Sequence, residues 1–195
     1  MAIFKQHFPS RQEFGRLVLV TAFPVHFWAV IQFLRHLPAL MLHLRPAAIW
    51  DVLSYVLGGA FIETVLTAAA LTLLAAILPR KLLRAHFLPA ASLVVYISAG
   101  WAVLFHYAVE ITNALTALFA QADFLSVYLY VLGGIMIGYF ATVFLVPHLV
   151  HTRPGLRRAM EEFAERVEVL SWIFLLADAA GIVTVVLRNL LLSAP

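Results

Sequence analysis

An all-helical bundle embedded in a membrane is the architecture specified by these 195 residues, and three observations point to it. Hydrophobic residues make up 64% of the chain and charged residues 12%, against about half and a quarter in a soluble domain. The apolar residues fall in five long stretches, near 17–35, 51–78, 88–109, 125–150 and 167–192. Each approaches or exceeds the roughly 20 residues of helix that a hydrocarbon core requires. None alternates polar and apolar residues in segments of about ten, as membrane-barrel strands do. The expected fold is a polytopic bundle of five transmembrane helices, forming a single membrane domain over residues 1–195.

The first helix opens on Ser10-Arg11-Gln12-Glu13, a capping box with Pro9 just before it. Its apolar run is too long for a signal-peptide core and no small-residue cleavage site follows, so it is expected to be retained as a span. Pro24 lies inside it and is expected to kink it. The segment from Leu37 to Trp50 is unusually apolar for a connection and contains Pro38 and Pro46. It is expected to lie in the membrane interface or to dip back toward the bundle. The fifth helix is expected to begin before its span as a charged turn, because Arg157/Glu161, Arg158/Glu162 and Glu162/Arg166 are spaced i,i+4.

The second and fourth helices share a pentapeptide. Tyr-Val-Leu-Gly-Gly occurs at Tyr55–Gly59 and again at Tyr130–Gly134, an offset of 75 residues. At the same offset Ile62 meets Ile137, Thr67 meets Thr142 and Pro79 meets Pro154, while Trp28-Ala29-Val30 matches Trp101-Ala102-Val103 at an offset of 73. The chain is therefore expected to hold two copies of one helical hairpin, about 17–79 and about 91–154, followed by a single helix over about 167–192. Two crossings per copy make this a parallel repeat, with its pseudo-axis along the membrane normal. The glycines of the repeat, Gly58, Gly59, Gly133, Gly134 and Gly138, are expected to bring helix backbones together, since association in lipid depends on close approach. Gly134 and Gly138 form a GxxxG, whereas the first copy has Gly59 and Glu63. A packing glycine has been exchanged for a carboxylic acid.

Orientation follows from the basic residues. Ten of the 13, namely Lys5, Arg11, Arg16, Arg80, Lys81, Arg84, Arg153, Arg157, Arg158 and Arg166, fall on one side of the spans, and Arg35, Arg45 and Arg188 on the other. Excess Lys and Arg marks the cytoplasmic side, so an N-terminus in the cytoplasm and a C-terminus outside an inner (plasma) membrane are expected. The net charge of +3 reflects this bias. No basic run with interleaved aromatic residues suggests nucleic acid.

Ionisable residues at membrane depth are costly and face a bundle interior or a wet cavity. His26, Glu63 and Asp178 stand near the middle of their spans. They are expected to converge as an ion- or proton-binding cluster, unless each merely bonds one helix to the next. His106, Glu110 and Asn113 fall at i, i+4 and i+7 on one face of the third helix. They are expected to line a path toward that cluster, the alternative being a structural stripe in which His106 pairs with Glu110. Asp178-Ala179-Ala180-Gly181 reads as a tight helix contact containing one buried acid.

Several chemistries are disfavoured. The chain contains no cysteine, which removes disulfides and thiolate metal sites. His148 and His151 form an HxxH without a third ligand, an arrangement better suited to the membrane interface than to a metal. His26 and His106 would stand about 9 Å apart in depth, an awkward span for bis-histidine haem, so no cofactor is expected. HExxH, GxSxG, Walker A and dinucleotide motifs are absent, so the chain is not expected to be an enzyme. The leading expectation is a homo-oligomeric pore or carrier for an ion or small solute that uses the intramembrane acids. A membrane-anchor or accessory subunit of a larger complex, quinone-linked redox complexes among the candidates, is the principal alternative. An intramembrane enzyme acting on lipid is a third, disfavoured by the missing motifs.

Overall fold

The structure, a computed structural model, describes residues 9–77, 87–118 and 124–192. Five helices account for nearly all of them: α1 (Arg11–His43), α2 (Pro46–Ile77), α3 (Phe87–Leu118), α4 (Phe124–Thr152) and α5 (Pro154–Leu192). All five are long and apolar enough to cross a membrane. Lys5, Pro79, Arg80, Lys81 and Arg84, on which the orientation and the repeat partly rest, lie outside the described residues.

The capping box at the start of α1 is formed: Glu13 N–H donates to Ser10 Oγ at 3.1 Å, and Ser10 N–H donates to the Glu13 carboxylate at 2.7 Å. The segment 37–50 is not the loop expected. α1 runs through Pro24 and Pro38 to His43, and only Leu44 and Arg45 separate it from α2. The physical reason is local. Leu44 N–H still reaches the Leu40 carbonyl at 2.8 Å, and Pro46 takes the first helical position, where its missing N–H is harmless. Pro154 repeats this device at the start of α5, leaving Arg153 as the whole connection from α4. With 33 residues, α1 is about 50 Å long and outruns a hydrocarbon core of about 30 Å at its ends.

α1 packs on α2, α3 and α5, while α5 packs on all four other helices and α4 packs chiefly on α3. The helices therefore form a rhombus, with α1 and α5 along its short diagonal, α2 and α3 at the far corners, and α4 outside. Polar cross-links set the registers. Arg16 meets Glu168 at 2.7 Å and His26 meets Asp178 at 2.9 Å, both across 152 residues. α1 and α5 are thus parallel, with two polar contacts about 15 Å apart. Tyr96–Val20, His106–Gln32 and Glu110–Arg35 span 74 to 76 residues, so α3 is parallel to α1 and offset from it by about the repeat length.

Packing in the seams relies on small residues. α2 buries Ser54, Leu57, Ala60, Thr64, Ala68 and Ala75 at spacings of three, four and seven, and α5 buries Ala164, Val167, Ser171, Asp178 and Gly181. The hydroxyls in these seams bond back to their own helices, Ser54 to Trp50, Thr64 to Ala60 and Ser171 to Val167, at 2.8–2.9 Å. Burial in an apolar medium therefore leaves them satisfied. An apolar cluster of Leu17, Ala68, Phe87, Leu88, Val95 and Val150 closes the end where α1 and α5 begin.

The glycine expectation needs correction within one chain. A methyl group added at Gly58, Gly59, Gly133 or Gly134 would meet nothing within 4 Å. The stripe of α2 that meets its neighbours is the Ser/Ala/Thr one, and α4 turns most of its surface outward, with Tyr130, Ile137 and Phe144 exposed. Close approach occurs at Gly138, where an added Cβ would lie 2.7 Å from the Trp101 indole, and at Gly181, 3.3 Å from the Ser54 carbonyl oxygen. The second agrees with reading Asp178–Gly181 as a tight contact.

Candidate functional site

Two of the three mid-membrane ionisable residues come together. His26 and Asp178 are both buried, and the imidazole Nε2 lies 2.9 Å from each carboxyl oxygen. The other ring nitrogen, Nδ1, lies 2.8 Å from the Ala22 carbonyl. A carbonyl only accepts, so Nδ1 carries a hydrogen. One further proton is then shared between Nε2 and the carboxyl group. The pair is an imidazolium with a carboxylate or an imidazole with a carboxylic acid, and it is neutral overall in either form. Phe174 stacks on the ring at 5.3 Å between centroids and closes it off.

Glu63 does not join them. It is exposed on α2 and makes no hydrogen bond or ion pair with any described residue. It borders a groove of about 460 Å³ lined by α1, α2 and α3, a volume within the roughly 300–1,000 Å³ of small-molecule sites. α1 contributes Phe23, Pro24, Phe27, Trp28 and Ile31, and α3 contributes Tyr96, Ala99, Gly100 and Val103. Glu63 is the sole charged residue of the lining. Small side chains at Ala99 and Gly100 open the groove, and an added Cβ at Gly100 would meet nothing within 4 Å. Phe23 and Phe27 stack nearly parallel at 5.8 Å. Pro24 cannot donate to the Val20 carbonyl, as residue i+4 of a helix normally would, and the Tyr96 hydroxyl donates there instead, at a long 3.4 Å.

The groove points toward a polar group at its far end. Trp28 makes an edge contact with His106 at 5.4 Å. His106 Nε2 lies 3.2 Å from the Glu110 carboxylate and 3.5 Å from the Gln32 amide nitrogen. Arg35 pairs with Glu110 at 3.6 Å and sits over the Tyr107 ring at 5.8 Å. His106 and Glu110 thus form the pair given as the structural alternative, and the groove lining stops at Val103, short of them. Asn113 is exposed farther along α3.

Trp101 was not singled out from the sequence, although it matches Trp28. Its indole lies against Gly138 and its N–H donates to Thr142 Oγ1 at 3.0 Å. The positions 73 to 75 residues earlier are Trp28, Glu63 and Thr67. Where Gly138 receives an indole, Glu63 offers a carboxyl group, and Trp28 turns instead toward His106 and Tyr107. Among the described residues no group of three His, Asp or Glu side chains is placed to hold a metal ion, and both ring nitrogens of His26 are already engaged. No protein-family model, curated protein or solved structure matches this chain.

Proposed function

We propose that the protein is a small membrane carrier whose solute comes from the bilayer and lodges in the groove between α1, α2 and α3. The observation that carries this reading is an apolar groove of small-molecule size with one carboxyl group in its wall, Glu63, that no described residue pairs. A carrier fits these features better than an aqueous ion pore within one chain. The buried pair His26–Asp178 and the buried Ser54, Thr64, Ser92 and Ser171 hydroxyls are closed on themselves or on their own helices, and Thr21 Oγ1, buried without a partner among the described residues, is a single atom that makes no continuous polar route. The two hairpins as a parallel repeat support the same reading, since parallel-repeat carriers bind solutes where the repeats meet. On this view the exchange of glycine for Glu63 keeps Trp28 from seating as Trp101 does, and so leaves the groove open.

The proposal includes a second copy of the chain. α4 leaves Gly133 and Gly134 open on its surface, where close helix approach is possible. It also places the N-terminus in the cytoplasm of a cell bounded by an inner membrane, on the ten-to-three bias of basic residues.

Gly100→Leu tests the groove. The leucine fills it and improves helix propensity, so folding should survive. In reconstituted vesicles the wild type should speed transbilayer movement of an NBD-labelled short-chain alcohol, read by dithionite quenching, and Gly100→Leu should abolish the gain. Equal movement with both proteins removes the groove from the function.

A further inference from the structure

We infer that the solute of the groove is a lipophilic monocation, an organic ammonium or onium ion. This rests on the groove reading above and names its substrate class.

Among the described residues the acids at or near membrane depth are each matched by a basic side chain, with one exception. Asp51 pairs with Arg188, Glu110 with Arg35 and Glu168 with Arg16, while Asp178 shares a proton with His26. Among the described residues Glu63 has none. An ionised carboxylate in apolar surroundings is tolerated only when paired or hydrated. Glu63 therefore waits for a proton or for a positive charge brought by the solute.

The rest of the lining selects the kind of cation. Phe23, Phe27, Trp28 and Tyr96 bring four aromatic rings to the lining, and aromatic rings attract onium groups. A bare metal ion is disfavoured, since calcium and magnesium require about six or more oxygen ligands and the groove offers one carboxyl group and one phenol. An anion would meet Glu63 with no basic residue in the lining to offset it. What fits is a delocalised or shielded positive charge on an apolar body.

The test uses equilibrium binding to the full chain in lipid nanodiscs, with tetraphenylphosphonium, the anion tetraphenylborate and neutral triphenylphosphine oxide as probes. The wild type should bind the phosphonium about tenfold or more tighter than the neutral probe, and bind the borate no more than empty nanodiscs do. Glu63→Gln should lower phosphonium affinity to that of the neutral probe, and Glu63→Asp should keep part of the preference. Gly100→Leu should remove specific binding altogether. If the neutral probe binds as well as the phosphonium, or Glu63→Gln leaves phosphonium binding unchanged, the cation inference is overturned. The groove reading survives that result provided that Gly100→Leu still removes the neutral probe. If Gly100→Leu leaves every affinity unchanged, or the folded wild type binds no probe, the groove reading and this inference fail together.

Discussion

His26 and Asp178 show how a single pair settles a buried contact. With Nδ1 committed to the Ala22 carbonyl, the pair stays neutral whichever atom holds the shared proton. In an apolar medium the form with imidazole and carboxylic acid avoids separated charge. Asp178→Asn suits that form, because an amide N–H can donate to Nε2 as the acid does. Its cost in a denaturant titration in detergent should stay within about 1 kcal/mol. Asp178→Ala leaves a buried imidazole nitrogen unpaired and should cost about 1–3 kcal/mol, the range for stranding a buried polar group. Adding His26→Leu to Asp178→Ala should recover part of that loss, because nothing polar is then stranded. Equal losses for Asn and Ala would instead identify a true imidazolium–carboxylate pair. The sequence marked both residues as interior, because charge at mid-membrane has few affordable places. It could not show that Glu63, at a similar depth, faces another way. Depth follows from counting residues, but azimuth follows from which neighbour a helix chooses.

At the scale of the helices, the same limit explains the glycines. The Gly-Gly of each repeated pentapeptide is conspicuous in sequence, yet the seams are made by alanine, serine and threonine in α2 and α5. These residues also permit close approach, and they form a stripe at spacings of three, four and seven that was legible in principle. Gly138 is where a missing Cβ matters, for Trp101 occupies the space and its hydrogen bond to Thr142 holds it there. Gly138→Ala should therefore destabilise by about 1–3 kcal/mol, as overpacking does. Gly134→Leu should leave the stability of a single chain nearly unchanged. In mild detergent, native mass spectrometry of Gly134→Leu separates two roles for the exposed α4 face. Loss of a dimer would identify that face as the seat of a second copy, and an unaltered mass would leave it to lipid. The five helices themselves were legible because length and apolarity leave a membrane chain few alternatives. Their ends were not, because Leu37–His43 is apolar enough to read as an interfacial loop and continues α1 instead.

For the whole molecule, the parallel course of α1 and α5 fixes a relation between the two ends of the chain. Arg16 and Glu168 meet near one end, and His26 and Asp178 meet ten residues farther along both helices. The last residues of α5 therefore lie at the opposite end from the first residues of α1. Arg11, Arg16, Arg153, Arg157, Arg158 and Arg166 gather at the starting end, whereas Arg35, Arg45 and Arg188 stand at the other. Orientation responds to such a bias in short connections, and the one-residue link at Arg153 is as short as a connection can be. A green fluorescent protein fused after Arg158, in place of the rest of the chain, should fluoresce, and one fused to the C-terminus should stay dark. Alkaline phosphatase, active only outside the cytoplasm, should give the reverse pattern. Moving the charge tests the cause as well as the outcome. Replacing Arg153, Arg157 and Arg158 by glutamine, with three lysines added beyond α5, should raise the share of chains whose C-terminus fluoresces. A C-terminus that fluoresces in the unaltered protein would mean that the chain sits the other way round, with its groove offered to the bilayer in the opposite sense.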